Sequence, residues 1–138
     1  MEHLVLSEAE TAQVAAWLLG QLNVGDTVEL IGPLGAGKTT FVRALLSAAG
    51  HHGPVKSPTY NLIQTYATQP PILHADLYRV TDAVGTGLED LIADHVNLIE
   101  WPAAAASLID PKSTWRVEIA FGDGATERMI TLTPPPRV

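Results

Sequence analysis

Residues 32–40, Gly-Pro-Leu-Gly-Ala-Gly-Lys-Thr-Thr, decide the fold of this 138-residue chain. They match the phosphate-binding loop pattern of a glycine, four residues, and then Gly-Lys-Thr. The apolar, β-branched residues 27–31 before the loop predict a buried strand. Residues 41–48 after it carry apolar side chains at helical spacing, and Gly50 is typical of a helix end. The order of strand, loop and helix is the context in which such a loop is used.

The residue types of this loop suit the binding of a phosphate chain. Glycines let backbone N–H groups turn inward, and the positive end of the following helix points at the same anion. Lys38 is long enough to reach the outer phosphates, and the Thr39 hydroxyl can bind Mg²⁺. The sequence therefore predicts a nucleoside triphosphate site. Its predicted contact residues are Gly35, Ala36, Gly37, Lys38, Thr39 and Thr40.

Composition narrows the function classes. The chain is 46% hydrophobic and 17% charged, and its length predicts one domain over residues 1–138 that is large enough for one real core. Its net charge of -7 argues against tight binding to nucleic acid by this chain alone. The absence of cysteine excludes disulfides and thiolate chemistry. No segment reaches transmembrane length and no signal-peptide pattern is present, so we expect a cytoplasmic protein that does not bind a membrane.

The phosphate-binding loop between a predicted strand and a predicted helix indicates an α/β protein with a P-loop NTPase-like, three-layer fold. Its central sheet should be mainly parallel, and residues 115–121 and 128–133 should add an antiparallel C-terminal hairpin. A capping box formed by Ser7 and Glu10 predicts the start of the first helix, and Trp17 and Trp115 are assigned to the core. Further strands are predicted over 3–6, 60–66, 72–77 and 96–100, and short helices over 88–93 and 103–108.

Two acidic residues, Asp76 and Glu100, follow apolar runs that are predicted to be strands. Ligands of open α/β sheets bind beyond the carboxyl ends of the strands, so either acid is placed to hold Mg²⁺ directly or through water. Each could instead only cap the next turn. The better strand before Glu100 favours that residue as the metal ligand. Asp76 is the better candidate for orienting an attacking water or for supporting the metal site indirectly.

Three further features of the sequence bear on function. Ser57 and Thr59 flank a proline in a loop, which suits either a switch that contacts the γ-phosphate or, more simply, a solvated turn. Trp101 directly follows an acid at a strand end, where aromatic surface is often used for a ligand or partner. His74 is interpreted as a packed, hydrogen-bonded histidine.

Together these blocks resemble the TsaE (YjeE) family, bacterial ATPases of tRNA threonylcarbamoyladenosine biosynthesis. The matching blocks are residues 32–41, 55–60, 74–79 and 99–102, in that order. The resemblance implies a compact ATPase, with ATP and Mg²⁺ as cofactors, that works with the threonylcarbamoyl transferase subunit and its companion (TsaD and TsaB type) and meets tRNA only indirectly. The chain departs from the family at Pro33, where an acidic residue is usual, and in the shorter segment 81–88.

The resemblance also implies roles for individual residues. Lys38 would neutralise phosphates, Thr39 and Glu100 would hold Mg²⁺, and Asp76 would support hydrolysis. Trp101 would lie beside the site and is a candidate residue of the partner surface. The resemblance gives weaker support for two more roles: Thr11 would lie near the nucleotide base, and Arg128 would lie near the nucleotide.

Three other classes compete with this interpretation. A small metabolite kinase would usually carry an arginine-rich lid, whereas the arginines here are scattered. A GTPase would need an Asn-Lys-x-Asp segment, which the chain lacks. A third alternative is not excluded by the sequence: a module that binds ATP only to order its surface, without significant turnover.

Overall fold

The computed structural model describes residues 1–33, 35–55 and 62–136. Seven strands form one sheet in the order β1-β7-β6-β2-β5-β4-β3. The strands are β1 (Glu2–Val5), β2 (Thr27–Ile31), β3 (Ile63–Tyr66), β4 (Ile72–Asp76), β5 (Val96–Glu100), β6 (Thr114–Phe121) and β7 (Arg128–Thr133). The helices are α1 (Glu8–Leu19) and α2 (Lys38–Ala48).

The centre of the sheet is parallel and its two sides are antiparallel. Strand β2 lies between β5 and β6 and is parallel to both, and β4 is parallel to β5. Strands β6 and β7 form the predicted antiparallel hairpin, while β1 and β3 add antiparallel edges. The predicted P-loop NTPase-like α/β fold is therefore confirmed.

The two faces of the sheet are covered differently. On one face, α1 and α2 pack over alternate residues of the strands, with Leu18, Phe41 and Leu45 completely buried. On the other face, a smaller core around Leu73 and Ile99 lies under short 3-10 turns and loops. The third layer thus contains single turns where longer helices are common.

The predicted helix over residues 103–108 was wrong, since only a 3-10 turn over Pro102–Ala105 forms. An α-helix would need the Ala104 carbonyl to accept the Leu108 N–H. Instead, the Ala83 N–H occupies that carbonyl at 2.9 Å, and the Leu108 N–H bonds to Ala105 at 2.9 Å. The predicted helix over 88–93 likewise divides into two 3-10 turns, Leu88–Asp90 and Ile92–Asp94.

The first helix begins as predicted, because the Ser7 hydroxyl accepts the Glu10 N–H at 3.2 Å. The placement of Trp17 in the core was wrong. Its side chain is exposed and meets the buried Trp115 only edge-on, with ring centroids 6.1 Å apart. Amphipathic spacing placed Trp17 within the apolar stripe of α1, but the sheet beneath is filled by Trp115 itself.

Candidate functional site

The loop between β2 and α2 depends on glycine at three positions. A side chain on Gly32 would collide with the backbone carbonyl of Ile119 on β6. Gly35 and Gly37 have φ values of 79° and 113°, in the left-handed region that side chains disfavour. Gly37 is the N-cap of α2, and no side chain caps that helix end. The first N–H groups of α2 therefore have no side-chain acceptor from the cap residue, as an anion-binding helix end requires.

Lys38, the first residue of α2, is buried rather than extended into solvent. Its Nζ lies 3.8 Å from Glu100 Oε1 and 4.9 Å from the centroid of the Trp101 ring. A buried cation requires a paired anion or π-face, and here it has both. The fold thus brings the loop lysine and the β5 carboxylate together at the carboxyl end of β5.

Glu100 is also buried, as the last residue of β5. Its Oε2 accepts a hydrogen bond from His74 Nε2 at 2.8 Å. His74 lies on the neighbouring strand β4 and is 1% exposed, so its interpretation as a packed, hydrogen-bonded histidine is confirmed. Glu100 therefore interacts with two side chains and caps no turn in the described part of the chain.

Asp76 stands beside Glu100, since the two residues are register partners at the ends of β4 and β5. Alternation along the strands places both acids and His74 on the face covered by α2. Asp76 Oδ1 accepts the Tyr78 N–H at 3.1 Å, so this carboxylate does cap the following turn. The other carboxylate oxygen, Oδ2, takes no part in that cap.

Trp101 has the one positive φ outside glycine in the described ranges, with φ 55° and ψ 61°. Such backbone strain costs about 1–3 kcal/mol and persists where surrounding contacts hold it. Two contacts do so: Tyr78, with ring centroids 5.0 Å apart, and the Lys38 ammonium. The ring is nevertheless 45% exposed, so it joins the buried charges to the protein surface.

A cavity of about 400 Å³ opens on the other side of the loop. The start of α1, the phosphate-binding loop and the β6–β7 hairpin line it, and its wall includes Thr11, Gly35, Ala36, Gly37, Thr40 and Arg128. The two residues assigned near the nucleotide on weaker grounds, Thr11 and Arg128, thus share one cavity with the loop.

Arg128 is bonded to backbone carbonyls. Its Nε donates to the Ala36 carbonyl at 3.0 Å, and its Nη1 donates to Ala125 at 3.1 Å and to Glu127 at 2.8 Å. Its guanidinium also lies over the Phe121 ring, 4.8 Å from the centroid. Arg128 therefore ties the phosphate-binding loop to the hairpin, a connection that the sequence pattern did not reveal.

Thr39 and Thr40 occupy the first turn of α2 and are half-buried, and Thr40 lines this cavity. Oxygen ligands suit Mg²⁺, which is usually bound by one or two protein oxygens together with phosphates and water. The donor set of Thr39 and Glu100 fits that chemistry. The described residues contain no cluster of three or more His, Asp or Glu side chains that would hold a metal by themselves. Ser57 and Thr59, the switch candidates, lie outside the described residues.

In the described ranges, no helix is long and apolar enough to cross a membrane.

The central strands of the sheet are parallel, a glycine-rich loop follows β2, and a buried lysine begins α2. These features define a P-loop NTPase-like α/β protein. The family model for "Threonylcarbamoyl adenosine biosynthesis protein TsaE" matches residues 5–130. The chain belongs to the TsaE family.

Individual relatives agree with this assignment. The chain is similar to the tRNA threonylcarbamoyladenosine biosynthesis protein TsaE of Rickettsia conorii, 39% identical over 79% of this chain and 65% of the relative. The protein of the same description from Streptomyces coelicolor is 36% identical over 81% and 82%. The chain thus spans slightly less than two thirds of the Rickettsia protein. The crystal structure of Bacillus subtilis YdiB matches with a TM-score of 0.79 and 26% identity, over 99% of this chain and 86% of that one.

Proposed function

We propose that this protein binds ATP with Mg²⁺ and hydrolyses it slowly, as an ATPase required for threonylcarbamoyl modification of tRNA. The observation that carries the proposal is the start of α2. There a helix end without a side-chain cap follows a glycine loop, and the buried Lys38 lies beside Glu100. Helix N–H groups without a side-chain cap and a buried cation together favour a polyanion such as a phosphate chain.

Different residues of the site bind the phosphates, hold the metal ion and orient the water. Backbone N–H groups of residues 35–40 cradle the phosphates, and Lys38 neutralises the outer ones. Thr39 and Glu100 hold Mg²⁺, which supplies charge neutralisation during phosphoryl transfer when it is bound. Asp76 orients the attacking water through Oδ2, the carboxylate oxygen that takes no part in its turn cap.

The cavity beside the loop suits the nucleoside. Thr11 lies at its α1 wall and Arg128 at its hairpin wall, on the side of the loop away from Glu100. Phosphates at the loop would thus leave the ribose and base between α1 and the hairpin. This arrangement uses a cavity whose volume of about 400 Å³ is in the range of small-molecule sites.

The proposed role in tRNA modification requires partner proteins. The family belongs to threonylcarbamoyladenosine biosynthesis, so the threonylcarbamoyl transferase subunit and its companion are the expected partners. With a net charge of -7, the chain itself is a poor tRNA binder, and contact with tRNA would come through them. The exposed Trp101, which contacts Lys38 inside the site, is a surface through which nucleotide occupancy could reach a partner.

Calorimetry with ATP, with and without Mg²⁺, tests the binding. Lys38→Met keeps the stem of the side chain but removes its charge, so we expect affinity to fall about 10- to 100-fold. Lys112→Met, at an exposed turn, is the matched control and should bind like the wild type. Equal affinity for all three proteins would refute the site.

Turnover of ATP with and without the transferase pair tests the activity. We expect slow hydrolysis that the partners accelerate. Binding without turnover in either condition would instead identify a nucleotide-dependent binding module, and phosphate transfer to a metabolite would identify a kinase.

A further inference from the structure

His74 occupies a position where an apolar residue would be expected. It lies in β4 between Leu73 and Ala75, on the face that α2 covers, and its register partner on β5 is Leu98. The imidazole is 1% exposed. Burying a polar ring costs free energy unless the ring is hydrogen-bonded. The hydrogen-bond partner of His74 therefore indicates why a polar residue occurs at this position.

The polar contact of this ring is directed at one atom. A carboxylate only accepts hydrogen bonds, so His74 Nε2 carries the hydrogen and donates to Glu100 Oε2 at 2.8 Å. The other ring nitrogen, Nδ1, is buried and has no hydrogen-bond partner among the described residues. A histidine kept only for packing would usually be satisfied through both nitrogens, whereas within the described residues this one is hydrogen-bonded to Glu100 alone.

Because of this hydrogen bond, the two carboxylate oxygens of Glu100 have different partners. Oε2 is held by His74, and Oε1 is the oxygen that faces Lys38 at 3.8 Å. That distance is too long for a strong hydrogen bond, so Lys38 leaves Oε1 available. Without His74, Glu100 could turn and pair closely with Lys38, which would withdraw the carboxylate from a metal ion.

We propose that His74 is a positioning residue that fixes Glu100 with Oε1 directed at the Mg²⁺ site. This inference rests on the proposed function, in which Glu100 holds Mg²⁺. Residues that orient a metal-binding carboxylate raise metal affinity because they remove its alternative conformations before the metal arrives.

Three substitutions of His74 separate positioning from packing. His74→Gln keeps an N–H donor at nearly the reach of Nε2. His74→Asn carries the same amide on a side chain one methylene shorter, which does not reach Glu100. His74→Met fills similar volume with no donor. The measured quantity is the gain in ATP affinity on adding Mg²⁺, that is, calorimetric affinity in Mg²⁺ relative to EDTA, with Mn²⁺ titration by electron paramagnetic resonance as a second readout.

We expect His74→Asn and His74→Met to reduce the Mg²⁺-dependent gain by about tenfold, the lower end of the effect of such supporting residues. His74→Gln should restore most of the gain, and affinity in EDTA should stay close to that of the wild type in all three. If His74→Met does not fold, the Gln and Asn pair still decides, because both carry the same polar group.

The outcomes distinguish this inference from the proposed function. If Mg²⁺ does not raise ATP affinity in the wild type, the metal assignment fails and this inference fails with it. If the wild type shows the gain and the Asn variant retains it in full, the positioning role alone is overturned. Equal losses in EDTA and in Mg²⁺ would show that His74 serves packing only, which also overturns the inference.

Discussion

The two sides of the phosphate-binding loop are built on different principles. On the side of β4 and β5, Lys38, Glu100 and His74 are buried and satisfy one another's charge or hydrogen bonding. On the side of the hairpin, Arg128 is half-buried and bonds to carbonyl oxygens. Buried groups that depend on each other tolerate little change, whereas carbonyl contacts at a partly hydrated edge tolerate more. The first side suits chemistry, and the second suits support of the loop.

The largest expected effect is on turnover, at the buried side. Asp76→Asn keeps the turn cap to Tyr78 but removes the charge, so ATP should still bind while steady-state hydrolysis falls about 100-fold. Asp82→Asn is the matched control, because Asp82 caps the Val84 N–H in the same way at 3.0 Å. Hydrolysis by Asp76→Asn at the rate of the control would remove Asp76 from the mechanism.

The next effect concerns the metal. Glu100→Gln retains the shape but not the charge, so the gain in ATP affinity on adding Mg²⁺ should fall by about tenfold or more in calorimetry. Glu118→Gln on β6 is the control, since that carboxylate is exposed and, among the described residues, pairs only with Arg116. An unchanged Mg²⁺ dependence in Glu100→Gln would contradict a metal role for this side of the loop.

A smaller effect is expected at the hairpin. Arg128→Ala breaks the ties to Ala36 and to the hairpin turn, which should lower the free energy of unfolding by about 1–2 kcal/mol and ATP affinity by several-fold. Arg116→Ala removes a surface ion pair worth about 0–1 kcal/mol and should scarcely change urea denaturation. If the two variants lose equal stability, Arg128 does not support the loop.

The smallest effect tests the strain at Trp101. Both Trp101→Ala and Trp101→Gly remove the ring, but only alanine keeps a Cβ in the left-handed conformation. The glycine variant should therefore be more stable than the alanine variant by about 1 kcal/mol in urea denaturation. The reverse order would show that the backbone relaxes once Tyr78 and Lys38 no longer hold the ring.

Local patterns predicted the elements whose causes are local. The loop motif predicted β2 and α2, alternation predicted the β6–β7 hairpin, and the capping box predicted the start of α1. The motif also named the residues from Gly35 to Thr40, whose nucleotide roles stay predictions. The family resemblance added Thr11 and Arg128, which the fold places in one cavity.

Features that depend on distant partners were not predictable. The helix expected over 103–108 was lost because Ala83, some twenty residues earlier, uses a carbonyl that the helix needed. The bond between His74 and Glu100 depends on the register of β4 against β5. A two-residue period could have indicated that His74 and Asp76 share a face, but it could not identify the neighbouring strand.

The bond from Arg128 to Ala36 acts at one peptide plane. Because a trans peptide unit is rigid, fixing the Ala36 carbonyl toward the hairpin directs the Gly37 N–H of the same unit away from it. Gly37, with its φ of 113°, accepts whatever orientation this bond imposes. A small shift of Arg128 in the hairpin would therefore reorient the Gly37 N–H, a donor that the guanidinium does not contact.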